Sequence, residues 1–206
     1  RILLSDYVTA FLFKMSTTLN VRQSLPPALT LIVISPFIAE ILSGSIPVSQ
    51  FSEFLKAVGL YGSGALLIRE IARRLHLGWY SIFALGLVYG LIEEGLALQS
   101  VFNPDFFGLD ISFGRANGVN WAWASFIIVF HAVWSISVPI WLTETIFSDK
   151  KKYPWLNPKV LWAVMGVYLF MVFHYHQLFR QLTGFVAPST LYFSAFAVVV
   201  IVILLL

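Results

Sequence analysis

Six stretches of this chain, residues 25–42, 54–71, 78–98, 121–147, 160–179 and 190–206, are apolar over about the 20 residues a helix needs to cross a hydrocarbon core. Inside a bilayer there is no water to bond a free N–H or C=O. Runs of this length that lack strand alternation therefore become helices, which satisfy their own backbone. Of the 206 residues, 59% are hydrophobic and only 11% charged, which excludes a water-soluble domain. The absence of cysteine excludes disulfides, thiolate metal sites and a cysteine nucleophile. The net charge of +3 comes from a few Lys and Arg at the ends of apolar runs, not from a stripe that could follow phosphates, so nucleic acid is excluded as a partner. The expectation is a single all-α integral membrane domain, a polytopic transmembrane helix bundle of about six spans whose partner is the lipid bilayer.

Lys and Arg collect in alternate connections: Lys14 and Arg22, then Arg69, Arg73 and Arg74, then Lys150, Lys151 and Lys152. The positive-inside rule predicts that the N-terminal side and the 148–157 loop face the cytoplasm of a multi-pass protein in the cell membrane. The opposite connections hold no Lys, and only Arg115 and Arg180. Residues 1–24 carry scattered polar side chains and read as an interfacial or extra helix. Residues 99–120 mix aromatics with turn formers, and read as a lid over the outer mouth or as an aromatic-anchored interfacial loop.

Ionisable groups within apolar spans are costly, and are by default hypotheses of function. With the topology above, Glu93 and Glu94 lie in the outer turns of the third span, His131 about 15 Å down the fourth, His174 in the outer third of the fifth, and Glu40 near the outer end of the first. Four helices thus bring carboxylates and imidazoles to one depth. Gly86 and Gly90 mark a face of close helix packing that Glu94 continues. Glu93 is about 100° away, and both reach an interior cavity only if the cavity is wide or the helix breaks at Gly95. Trp134 and Ser135 follow His131 one turn on and would line the same face. Glu40, Trp134, Ser135 and Arg115, the one basic residue of the long outer loop, are candidate binding residues. Arg69 and Glu70 read as structural, accounted for by an inter-helix ion pair or snorkelling, and Glu144 and Asp149 as solvated.

Such a set suits hydrolysis, with a Glu taking a proton from water and imidazoles acting as ligands or oxyanion donors. His131 and His174 are candidate metal ligands, with zinc as the candidate ion. The alternative for each is structural, a buried hydrogen-bonded carboxylate pair or a packing histidine.

The order of a Glu pair, a His on the next span and a His on a later one resembles the CAAX protease and bacteriocin-processing family, the intramembrane endopeptidases that include the type II CAAX prenyl protease. Glu93 and Glu94 in IEEGLALQS stand for the pair of its EExxxR motif, His131 in FIIVFHAVWS for its second motif and His174 in VFHYHQ for its last. The resemblance implies catalysis by Glu93, Glu94, His131 and His174 on a peptide or lipid-modified substrate. Three positions depart from the family pattern: Leu98 replaces the motif Arg, Ile127 the Phe before the first His, and Leu178 the polar residue after the last. Two other classes fit the same residues. One is a transporter or small-molecule-binding bundle with a Glu/His coupled site, and the other a structural subunit of a membrane complex.

Overall fold

The computed structural model describes Thr9 and residues 24–107 and 113–205. The rest of the segment 1–24 lies outside the described residues, so the interfacial-helix expectation is not addressed there. The chain is an all-α membrane helix bundle. Its helices are α1 (Leu25–Ile41), α2 (Phe51–Arg74), α3 (Trp79–Ala97), α4 (Trp121–Ile146), α5 (Pro158–Thr183) and α6 (Ser189–Leu205). Each lies within a few residues of an apolar run. Among the described residues α2 to α5 are long and apolar enough to cross a membrane, and α1 and α6 are shorter apolar helices. A two-stranded hairpin, β1 (Arg115–Ala116) and β2 (Val119–Asn120), lies in the outer loop.

Start signals are local. Pro26 and Pro27 open α1, where a missing N–H costs nothing. Asn120 caps α4 by accepting from the Trp123 N–H, and Asn157 caps α5 in the same way for Val160. The main core joins Leu31, Leu60, Leu66, Ile82, Ile136, Ile140 and Trp155. A second cluster joins Leu96, Val101, Phe102, Ala124 and Ala195. On α6 only Ala195 and Val199 are buried, one turn apart, so its other faces are left for lipid.

Four helices change pitch at one level. π-helical turns occupy Phe37–Ile41 in α1, Val58–Gly62 in α2, Ile92–Ala97 in α3 and His131–Ser137 in α4. Such turns cluster at functional sites. One cause is visible in α1, where Pro36 has no N–H to give the Ile32 carbonyl. Gly62 packs directly on that carbonyl, and a Cβ there would come within 2.4 Å of the oxygen. Ser35 ties the same level together by donating to the Ser135 carbonyl of α4 at 2.7 Å and the Tyr61 carbonyl of α2 at 3.3 Å. Between α3 and α4, Gly86 lies against Ala132 and Gly90 against Ile128, so the two backbones meet without side chains between them.

Replacing Gly62 by Ala should cost about 1–3 kcal/mol, because the added methyl meets backbone rather than a movable side chain. Gly166 in α5 faces open space, so Gly166→Ala should be neutral or slightly stabilising. Thermal unfolding of the two variants in detergent checks the contrast.

Candidate functional site

The pitch changes decide where the polar side chains go. In the widened turn of α3 successive residues step by less than the ~100° of an α-helix, so the adjacent Glu93 and Glu94 can both face inward. Both are buried, as is His131. His131 Nε2 lies 2.8 Å from Glu94 Oε1, and its Nδ1 is 3.0 Å from the Ser135 hydroxyl and 3.4 Å from Glu93 Oε2. With Glu94 as a carboxylate, Nε2 carries the proton that Glu94 accepts. The second Glu94 oxygen accepts from the Ser100 hydroxyl, which in turn accepts from the Trp123 indole N–H at 3.0 Å. Glu94 and His131 are therefore held on both sides.

Glu93 is held differently. Among the described residues its Oε2 makes no close hydrogen bond, with His131 Nδ1 at 3.4 Å, and the Tyr89 hydroxyl faces the same carboxylate without a close hydrogen bond of its own. Tyr61 presents its ring to His131 at 5.9 Å and its hydroxyl to the carboxylates of Glu40 and Glu93. Tyr89 lies 6.1 Å from His131 and 6.0 Å from Tyr168, which completes an aromatic wall. One oxygen each from Glu93 and Glu94 and one nitrogen of His131 lie within 4.8 Å of one another, a spacing that could hold a metal ion.

The structure thus brings Glu40, Glu93, Glu94, His131 and Ser135 together. It does not bring His174 to them. That ring packs on Phe170 and Tyr175 on a partly exposed face of α5, outside the group of ligand atoms, so the pairing of His131 with His174 as metal ligands is not met. His176, about 200° round the helix, turns inward instead and donates from Nδ1 to the Leu96 carbonyl at 2.9 Å, beside the widened turn of α3. Trp134 points outward and is 48% exposed, because the π-helical turn that begins at His131 rotates it off the site face. Arg115 binds no ligand position. It clamps the outer loop through the carbonyls of Phe102, Asn103 and Gly118. Tyr61, Tyr89 and Ser100 are the site neighbours that residue type alone did not mark, since tyrosine and serine are unremarkable in apolar helices and loops.

The described part of the 99–120 connection is partly buried and partly exposed. Ser100, Val101, Phe102 and Asn103 are buried against the bundle and reach Glu94, while Phe113 and Trp121 stay exposed. Phe106 stacks on Phe179 of α5 at 5.9 Å.

At the other end of the bundle one expectation is overturned. Glu144 is not solvated but buried, accepting from Arg69 at 3.1 Å and from Arg73 at 2.5 and 2.8 Å. Glu70 binds the adjacent Arg69 at 2.8 Å and also accepts from the backbone N–H groups of Trp155 and Leu156. Arg69 spends its remaining donors on the carbonyls of Lys150 and Lys151, under the Trp155 ring at 3.4 Å. Two arginines from α2, a turn apart, need a counter-ion from another helix, and α4 supplies it.

Together these features define an integral membrane protein built around a buried carboxylate–imidazole–tyrosine centre. Over residues 29–206 the chain matches an uncharacterized membrane protein family, and it belongs to that family. The match carries membrane residence and not membership of the CAAX protease family. No curated protein and no solved structure matches the chain.

Glu144→Gln should cost about 3–5 kcal/mol, because it leaves Arg69 and Arg73 short of a buried counter-charge. Asp149→Asn, in the exposed turn beside it, should change stability by less than about 0.5 kcal/mol. Denaturation in mixed micelles reads both.

Proposed function

We propose that this protein is a membrane-embedded hydrolase with its reaction centre at Glu93, Glu94 and His131. One observation carries the reading: a buried carboxylate oxygen, Glu93 Oε2, is left open beside an imidazole that the neighbouring carboxylate already orients. An acceptor held open costs stability, about 1–3 kcal/mol, and suits a water molecule that is to be deprotonated. Glu93 takes that proton as the water oxygen attacks a carbonyl carbon. The Tyr89 hydroxyl, which faces Glu93, donates to the developing oxyanion. Glu93 then passes the proton to the leaving group. Glu94 is the positioning residue, fixed by Ser100 and fixing His131.

This is the class of reaction that the CAAX protease resemblance implies, on a peptide or lipid-modified substrate, but with His174 outside the centre. Glu93, Glu94 and His131 would also be the residues to hold a divalent ion such as zinc, which would polarise the carbonyl or activate the water. Metal analysis of the purified protein separates the two forms. By the positive-inside rule the end bearing Lys150, Lys151 and Lys152 is cytoplasmic and the centre sits toward the opposite leaflet of the cell membrane, under the loop residues Gln99 to Asn103.

A second reading is favoured by the enclosure of the cluster, in which Glu93, Glu94 and His131 are each under 5% exposed. A proton- or cation-coupled transporter keeps its site closed between turns of its cycle.

Glu93→Gln should lower turnover of a pool of peptides and lipid-modified peptides in liposomes by about 10²–10⁴-fold, with the unfolding midpoint retained. Turnover that survives the substitution, or an unfolding midpoint that collapses with it, would overturn the hydrolase. Ion-driven uptake lost in the same variant, with no product formed by the parent protein, selects the transporter.

A further inference from the structure

A second feature stands apart from that centre. At the basic end of the bundle a cavity of about 610 Å³ opens between the α2–α3 connection, α4 and the turn that follows α4. Arg73, His76, Lys151 and Lys152 line it, and Glu144 is its one carboxylate. Glu144 offers little negative charge to a ligand, since Arg69 and Arg73 already share it. Lys151 and Lys152 are exposed and take part in no ion pair among the described residues, while the Lys151 carbonyl is bound by Arg69 at 3.0 Å, which fixes the backbone from which both side chains project. His76 stands at the end of α2 with φ +57°, in the left-handed region that glycine usually supplies at such an end. The cavity therefore has a cationic surplus on a backbone that is held in place.

Its rim chooses among anions. Trp79 and Trp141 line the same cavity and are 43% and 57% exposed, at the helix ends where indoles mark the membrane–water boundary. Beyond them Phe83, one turn along α3, and Trp134, further along α4, are exposed apolar side chains on the membrane side. A ligand seated here has its charge among Lys151, Lys152 and His76 and apolar surface beside it. A free phosphate uses only the first.

We propose that this cavity is a binding site for the headgroup of an anionic phospholipid, with the acyl chains running along the exposed faces of α3 and α4. Basic pockets between membrane helices recognise such headgroups through charge and aromatic contacts together.

The full chain is reconstituted in vesicles of brominated phosphatidylglycerol or brominated phosphatidylcholine, and quenching of tryptophan fluorescence is read. Quenching should be stronger in the anionic lipid, and Trp79→Phe with Trp141→Phe should remove that excess. The combination His76→Gln, Lys151→Gln and Lys152→Gln should weaken the preference roughly tenfold or more. Lys150→Gln, a charge change of the same kind outside the cavity, should preserve it. Equal quenching by both lipids, or equal loss of preference in the Lys150 variant, would overturn the site, the latter because it signals diffuse surface attraction. Inorganic phosphate at millimolar concentration should leave the excess intact. Its disappearance would assign the cavity to a free anion and overturn the lipid.

Discussion

Where no water is present, a polar atom must find its partner inside the protein or remain unsatisfied at a cost of several kcal/mol. That single constraint organises both ends of this molecule. At the basic end it is met in full by Arg69, Glu70 and Glu144. The guanidinium nitrogens of Arg69 bond two carboxylates and two carbonyls, and both oxygens of Glu70 accept from other elements. The network staples α2, α4 and the loop ahead of α5. In the other half of the bundle the same constraint is met for Glu94 and His131, and left unmet for one oxygen of Glu93 and the hydroxyl of Tyr89.

The pitch changes make that contrast possible. An α-helix would set Glu93 and Glu94 about 100° apart and send one of them toward a neighbouring helix or lipid. The widened turn turns both inward and leaves the Leu96 carbonyl to His176. The turn in α4 likewise pairs His131 with Ser135 while Trp134 swings out to the membrane. Four distorted turns at one level are expensive in regular hydrogen bonding, and they coincide with the residues Glu40, Tyr61, Glu93, Glu94 and His131. Packing sustains them, through Gly62 on the Ile32 carbonyl and Gly90 on Ile128.

Much of this was legible in the sequence because hydrophobic length and residue type are local properties. The six apolar runs locate the helices to within a few residues, and the shared depth of Glu40, Glu93, Glu94 and His131 follows from counting along antiparallel helices. What failed depended on rotation about a helix axis or on a partner distant in sequence. His174 and His176 differ only in phase, and the side that faces the bundle is set by tertiary packing. Trp134 was misplaced because regular helical spacing cannot anticipate a π-helical turn. Glu144 resembled a solvated loop-end carboxylate until Arg69 and Arg73, over 70 positions earlier, were placed against it. Tyr89 carried no signal at all, since a lone tyrosine in an apolar run reads as packing.

The two polar centres differ in chemistry, guanidinium–carboxylate pairs at one end and a carboxylate–imidazole–tyrosine group at the other. Both are buried, both contain paired carboxylates next to a nitrogen base, and both join several helices. Evolution of a purely structural centre favours closing the last acceptor, since each open one costs about 1–3 kcal/mol. Around Glu93 the donors needed to close it are already present: Tyr89 faces the carboxylate and His131 Nδ1 lies 3.4 Å from its open oxygen. Ser135 holds Nδ1 at 3.0 Å, and Tyr89 packs against Tyr61 and Tyr168. His131 and Tyr89 are thus fixed beside Glu93 by their neighbours, which suits the proton transfer proposed for that carboxylate.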